Sequence, residues 1–377
     1  MEKIIIFYAS YGGGHLSAAK SIENYIKKHY PEKDVQLIDC MKYINKTFEK
    51  ISTAAYREMA KKMPWAWGKI YNDSQKGPLA HITSRTNAFM AVKLLKLLKK
   101  EQPDLIISTH PFGSQMCGYL KRKGKIDCEI ATIMTDFKSH DQWLVENEFV
   151  NYFFVSNEDM KNELINKNIA NSKIYVTGIP INEKFLNNFN KTEILNNLNF
   201  SENKKTILFF AGGEYGIGKS TTLQIFEYLL KNFDNIQIIA ISGKNENMKN
   251  NFIKITEKNN KQKCVRIFEY TDKVPELMSI SELVITKPGG LTTSEALVSE
   301  LPIVIINPIP GQEEENADFL EKHHVALWIK KDDDINLNLN VLLNDDNIIK
   351  NIKENIKLIS KPYSTKDICN ILLKKRI

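Results

Sequence analysis

Apolar runs of five to seven residues recur along the chain at 3–9, 35–39, 104–108, 129–135, 151–155 and 174–178, and again at 206–211, 236–242, 264–270, 282–287, 302–307 and 325–330. Most are continuous rather than alternating, and the stretches between them are long enough for a helix. That is the pattern of parallel strands covered by helices on both faces. The run 182–205 is rich in Asn and Lys and has no period-two apolar signal, so it reads as a linker. The expectation is therefore an α/β chain of two doubly wound domains, 1–181 and a second starting at 206, with a ligand crevice between them beyond the carboxyl ends of the strands.

One segment breaks the rhythm. Residues 40–100 contain no clear strand, but Phe48, Ile51, Tyr56, Met59 and Met63 fall near helical spacing among Lys50, Arg57, Lys61 and Lys62. Pro64, Trp65, Trp67, Ile70 and Tyr71 follow directly. A basic amphipathic helix beside an aromatic cluster suits a membrane interface, and it equally suits a helix laying its stripe on a sheet.

Length and composition sharpen this picture. The 377 residues are 42 % apolar, and 52 basic against 45 acidic side chains leave a formal charge of +7, which excludes a disordered or collagen-like chain. At roughly 150 residues per domain the length fits two domains. Cys40, Cys117, Cys128, Cys264 and Cys369 form no CxxC pair and no zinc spacing, so a reducing compartment is expected. The opening MEKIIIFYAS is too short an apolar run for a secretory signal, and no stretch approaches the ~18 apolar residues of a membrane span. Any membrane contact is thus expected to be peripheral. The basic excess permits an anionic partner without naming it.

Three glycine-rich sites carry the candidate chemistry. The first strand ends in Ser10-Tyr11-Gly12-Gly13-Gly14-His15, a turn that lets backbone approach a ligand and opens a helix whose free N–H groups favour negative charge. His15 at its mouth can move a proton near neutral pH or can simply cap the turn. After 206–211, the residues from Gly213 to Ser220 satisfy the P-loop pattern in strand-to-helix context. The strands ending at Ser242 and Lys287 carry no acidic residue to hold magnesium, which favours a diphosphate-contacting turn over an ATPase loop. In the third, Lys287-Pro288-Gly289-Gly290-Leu291-Thr292-Thr293-Ser294-Glu295 precedes strand 302–307 and Pro310-Gly311-Gln312-Glu313. Gly289, Gly290 and Thr292 can offer N–H and hydroxyl groups to phosphate. Glu295 can accept from two ribose hydroxyls, and Gln312 and Glu313 can hold sugar hydroxyls. A Glu near a helix start also merely complements the dipole, and Glu313 to Glu315 would by default be solvated. Asp332-Asp333-Asp334 reads as a solvated turn rather than a metal motif.

Taken in order, GGGHLSAA, KPGGLTTSEAL and PIPGQEEENA resemble the monogalactosyldiacylglycerol synthase and processive diacylglycerol glucosyltransferase group of glycosyltransferase family 28, over essentially the whole chain. The resemblance implies a GT-B fold with an acceptor-binding and membrane-binding domain at 1–181, a UDP-sugar domain at 206–360, and a C-terminal helix within 361–377 returning to the first domain. It places His15 with Gly12, Gly13 and Gly14 on the acceptor side and Glu295 on the donor ribose. Gly289, Gly290, Leu291 and Thr292 fall by the donor phosphates, and Gln312 and Glu313 face the hexose. Backbone near Phe268 and Tyr270 falls where the uracil is read, and Gly213 and Glu214 where the phosphates pass. Thr135-Asp136-Phe137 with His140 and Trp143 resembles the family's TDF segment, which makes Asp136 and His15 a cooperating pair with the direct base undecided. Where relatives commonly carry an arginine that could reach phosphate, this chain has Asn182, which leaves phosphate binding by that loop open. Trp65 and Trp67 would anchor the protein peripherally on the cytoplasmic, anionic face of the membrane.

The implied reaction is inverting transfer of glucose or galactose from UDP-glucose or UDP-galactose to diacylglycerol. No metal, other cofactor or nucleic acid is expected. The alternatives are a P-loop nucleotide hydrolase and a non-catalytic, membrane-associated sugar-nucleotide sensor.

Overall fold

The computed structural model describes residues 2–75, 78–211, 219–330 and 333–374. It divides into two units, Met1–Glu183 with Lys361–Ile377, and Lys184–Ser360. All twelve apolar runs form strands. In the first unit these are β1 (Lys3–Tyr8), β2 (Asp34–Asp39), β3 (Leu105–Ser108), β4 (Glu129–Ile133), β5 (Tyr152–Val155) and β6 (Ile174–Val176). The second unit contains β7 (Lys205–Phe210), β8 (Ile236–Ile241), β9 (Val265–Phe268), β10 (Leu283–Thr286), β11 (Ile303–Ile305) and β12 (Ala326–Trp328). Every pairing is parallel, in the orders β2-β1-β3-β4-β5-β6 and β12-β11-β10-β7-β8-β9.

These orders decide where chemistry can sit. In each sheet the chain winds outward one way from its first strand and then returns to build on the other side. Two neighbouring strand ends there send their helices to opposite faces. The switch lies between β1 and β3 in the first unit and between β7 and β10 in the second.

Burial explains the continuous apolar runs. Ile4, Ile5, Ile6 and Phe7 are all fully buried, with Ile5 and Phe7 packing into one core and Ile4 and Ile6 into the other, on opposite faces of the sheet. The second of these cores includes Ile368, Cys369, Leu372 and Leu373 from the C-terminal helix Ser364–Leu373. That helix lies against Gly13–His29, with Tyr30 Oη donating to Asn370 Oδ1 (3.2 Å) and Thr365 Oγ1 to the Ile181 carbonyl (2.6 Å). Gly178 makes the approach possible, because a Cβ there would lie 2.5 Å from Lys361 Cβ, and its φ of +87° suits glycine alone.

The stretch 182–205 is not a linker. Lys191–Asn197 is a helix capped by Asn190, Leu195 and Phe200 are buried, and Arg266 lies over the Phe200 ring at 5.1 Å. Two buried apolar anchors suffice to fold a segment dominated by Asn and Lys, which is why its composition misled. The described residues of 40–101 form four helices, Cys40–Ile44, Lys46–Lys62, Pro64–Gln75 and Pro78–Glu101. All five thiols are unbridged, and among the described residues no helix is long and apolar enough to cross a membrane.

Candidate functional site

The first switch point is built by residues 94 positions apart in sequence. Gly12, at φ +141°, ends the turn after β1 and starts Gly13–His29, and a Cβ on either Gly12 or Gly13 would meet nothing within 4 Å. The glycines therefore leave room rather than relieve crowding. His15 lies in the first turn, and its Nδ1–H donates to the Thr109 carbonyl oxygen after β3 (2.7 Å) and is shared with Thr135 Oγ1 after β4 (3.1 Å). Thr109 Oγ1 donates in return to the His15 carbonyl (2.9 Å). A carbonyl can only accept, so Nδ1 carries the proton and the neutral ring presents Nε2 as an acceptor. Burial lowers the pKa of His15, while the Asp136 charge and the Thr109 bond oppose that shift. Asp136 is itself buried.

A second imidazole, not singled out in the sequence, completes this group. His110 stands edge-on to His15 with ring centroids 4.6 Å apart. Its Nδ1 accepts from the Phe112 amide (3.2 Å) and caps Pro111–Arg122. Burial, then His15, depresses its pKa well below the usual range, so it is a neutral wall rather than a proton carrier. Its sequence signal was available: Thr109-His110-Pro111 directly follows a strand. Tyr11 and Phe112 flank His110 at 5.6 and 4.6 Å.

His140 and Trp143 lie just beyond Asp136 in the same unit. Both are buried, His140 accepting at Nδ1 from the Gln142 amide (3.1 Å) and Trp143 packing in the core 6.5 Å from the His15 ring. The exposed apolar side chains of this unit are elsewhere. Trp65 is 70 % and Ile51 63 % exposed, with Tyr43, Met63 and Ile70 exposed near them in sequence. The Trp67 side chain lies outside the described residues.

In the second unit, β10 leads through Lys287 and Pro288 into Gly290–Val298, capped by Gly289 with no side-chain cap. A Cβ on Gly289 would again meet open space. Asn316 Nδ2 donates to the Pro288 carbonyl (3.0 Å) and braces this turn against the next helix, Gln312–Lys322. Leu291 and Thr292 are half-buried in the first turn. Glu295, half-buried one turn in, has no side-chain hydrogen bond among the described residues, and burial pushes its carboxyl up to about 8. Lys287 is buried and its Nζ has no hydrogen-bond partner among the described residues.

The acidic run at the next helix start is only partly solvated. Gly311 turns at φ +91°, Glu313 Oε2 accepts from the Ile309 amide (2.7 Å), and Glu314 Oε2 accepts from the Gly311 amide (3.1 Å). Gln312, half-buried, opens the helix. Phe268 ends β9 with its carbonyl already accepting from Ser242 N (2.8 Å) and Oγ (3.1 Å), and Tyr270 is 79 % exposed. Gly213 and Glu214 lie outside the described residues, as does most of the P-loop pattern. Asp333 and Asp334 accept from the Lys330 and Asn336 amides (2.8 and 2.9 Å), which makes this a turn. Among the described residues no three His, Cys, Asp or Glu side chains are placed to hold a metal ion.

The family described as monogalactosyldiacylglycerol (MGDG) synthase matches residues 15–181, and that of UDP-N-acetylglucosamine 2-epimerase matches residues 147–373. Processive diacylglycerol beta-glucosyltransferase of Bacillus cereus (strain AH187) is 29 % identical over 379 residues, 98 % of this chain and 93 % of the relative. Its counterpart in Bacillus thuringiensis (strain Al Hakam) is 29 % identical over 381 residues, covering 99 % and 94 %. Among solved structures, Acinetobacter baumannii MurG aligns with a TM-score of 0.66 at 12 % identity over 99 % of this chain and all of the other. UDP-GlcNAc 2-epimerase from Neisseria meningitidis, bound to UDP-GlcNAc, aligns at 0.63 and 14 % over the same shares. At such identities these two show the fold, GT-B with two Rossmann-like domains.

Proposed function

The chain belongs to the monogalactosyldiacylglycerol synthase and processive diacylglycerol glucosyltransferase group of glycosyltransferase family 28, and over residues 147–373 it also matches the UDP-N-acetylglucosamine 2-epimerase family; from that premise we propose that it transfers a hexose from a UDP-sugar to the hydroxyl of diacylglycerol with inversion. The donor is UDP-glucose, as the names of the curated relatives support. The observation that carries the reading is the proton acceptor at the β1/β3 switch point. A protein that only bound a sugar nucleotide would need no such group, whereas a hydroxyl attacking an anomeric carbon must lose its proton.

His15 Nε2 takes that proton in this reading. The acceptor oxygen bonds to C1, the bond from C1 to the β-phosphate oxygen breaks with its electron pair, and UDP departs. Asp136 stabilises the imidazolium that forms, and the Thr109 carbonyl keeps the ring in its tautomer. On the donor, Glu295 accepts from the ribose hydroxyls, and Gln312 and Glu313 hold the hexose. The amides of Gly290, Leu291 and Thr292 face the diphosphate, helped by the open Gly289 and by Gly213 and Glu214. With the Phe268 carbonyl occupied, uracil contacts fall to the backbone between it and Tyr270. Helix N-termini stabilise the leaving diphosphate where other transferases use a metal ion, so no metal is invoked.

The acceptor never leaves the bilayer. We assign contact with an anionic membrane to the exposed Tyr43, Ile51, Met63, Trp65 and Ile70, near one another in sequence among exposed Lys46, Lys50, Lys62 and Lys69, with Trp67 an added anchor and the cytoplasmic face its place. The purified chain incubated with diacylglycerol vesicles and labelled UDP-glucose or UDP-galactose tests the reading by thin-layer chromatography. Labelled glycolipid from UDP-glucose is expected. The reading falls if neither donor labels the lipid phase; conversion of UDP-GlcNAc to its C2 epimer would then place the chain with the epimerases, and ATP hydrolysis with the P-loop enzymes.

A further inference from the structure

Two helices, Gly290–Val298 and Gln312–Lys322, begin after the neighbouring strands β10 and β11, so two positive dipole ends stand at adjacent strand ends. Lys287 lies between β10 and the first of them. Only 9 % of it is exposed, and its Nζ makes no hydrogen bond among the described residues. An unpartnered buried ammonium is among the costliest groups a fold can hold, and a lysine serving the fold alone would be paired. Burial lowers the Lys287 pKa and the Glu313 charge opposes that shift, while Glu313 Oε2 accepts from the Ile309 amide (2.7 Å). Among the described residues, then, Lys287 stands without an acceptor, as a cation awaiting one would. Next to it, Gly289 leaves open space where a Cβ would stand, on the N-cap of a helix with no side-chain cap of its own. The combination of one unsatisfied cation, an uncapped helix start and an open glycine suits a ligand carrying clustered negative charge, a nucleoside diphosphate.

We propose that Lys287 is the cation that binds the donor diphosphate and neutralises the charge it gains on departure. The proposal rests on the donor reading above and adds a residue to it. As the bond between C1 and the β-phosphate oxygen breaks, the electron pair stays on that oxygen and the diphosphate gains one negative charge. The Lys287 ammonium donates N–H bonds to the phosphate oxygens and keeps its proton, while the proton of the acceptor hydroxyl leaves separately to the base. One ammonium and two dipole ends then supply part of the countercharge that a divalent ion provides in other transferases.

Calorimetry on Lys287→Met and Lys287→Arg, with UDP and with uridine as probes, decides the matter. Lys287→Met is expected to weaken UDP by at least about tenfold and leave uridine unchanged, because only UDP carries the phosphates. Lys287→Arg should recover most of the UDP affinity. Methionine also removes a buried unpaired charge at similar volume, so the melting temperature should rise as turnover falls, by about 10²-fold for a lost transition-state contact. UDP affinity within twofold of the parent, or an equal loss for uridine and UDP, overturns the proposal. So does a Lys287→Met chain that fails to fold, which would make the lysine structural. Failure of the parental chain to make glycolipid would instead count against the transferase reading, while the comparison of UDP with uridine would still judge Lys287.

Discussion

Glu295 offers a test in which proton and ligand are counted together. Burial holds its carboxyl near 8 instead of the ordinary 4.5, and no described residue hydrogen-bonds to it. At pH 7 a group of that pKa is about 90 % protonated. Ribose hydroxyls that donate to the carboxylate require it ionised, so binding of UDP should expel roughly 0.9 proton per site at pH 7, and affinity should improve by up to about tenfold per pH unit between 6.5 and 8. Calorimetry in buffers of different ionisation enthalpy reads the proton directly. Glu295→Gln keeps the volume and removes the ionisation, so it should bind more weakly by a few kcal/mol at pH 8 and release about 0.9 proton fewer at pH 7. The comparison with Glu295→Gln subtracts the proton that UDP itself exchanges. The same shift has a sign in stability. Because the folded pKa is raised, the carboxyl's contribution is fully present below 4.5 and is lost as pH climbs through about 8. The loss is at most about 4 to 5 kcal/mol. Thermal melts of Glu295→Gln should therefore diverge upward from the parent between pH 5 and 8.5. Equal proton release by parent and variant, with flat affinity across the range, would remove Glu295 from the donor site.

Three further outcomes follow from the geometry. His15→Ala and Asp136→Asn should each lower glycolipid turnover by about 10² to 10⁴ while donor affinity survives, and the double variant should lose far less than the product, since the groups act as a unit; near-parental turnover in either single variant would contradict the pairing. Replacing Ile51 and Trp65 with Ser removes two of the exposed apolar side chains and should cut binding to anionic vesicles by about tenfold or more without changing UDP affinity. Unchanged sedimentation with vesicles would locate the membrane contact elsewhere. Gly178→Ala places a Cβ 2.5 Å from Lys361 Cβ at a φ of +87°, and should cost at least about 1 to 3 kcal/mol in thermal or denaturant unfolding; an unaffected midpoint would mean the C-terminal segment shifts freely.

The twelve strands, the two doubly wound halves and the placement of His15, Glu295 and Glu313 at strand ends were all legible in one dimension. A strand buried on both faces, such as Ile4 to Phe7, must be a continuous apolar run, and a turn that leaves backbone open to a ligand must spend glycines. Local rules of this kind act within a few residues and so leave their mark in the order of residues. The segment 182–205 shows where that stops, because Leu195 and Phe200 carry it into the second unit while its composition looks like a linker.

What only the tertiary structure decided is which strand ends are neighbours. β1 lies beside β3, so a carbonyl 94 positions from His15 sets its tautomer, and His110, unremarkable in the sequence, becomes its wall. Trp143 and His140, to which sequence alone assigns no depth, are buried in the first unit. Lys287 heads a glycine-rich motif in sequence, and only packing shows that its Nζ is buried with no hydrogen-bond partner among the described residues. Propensity and periodicity are sums over near neighbours, whereas burial, hydrogen-bond satisfaction and charge state depend on atoms that the chain brings together only after its crossovers are made.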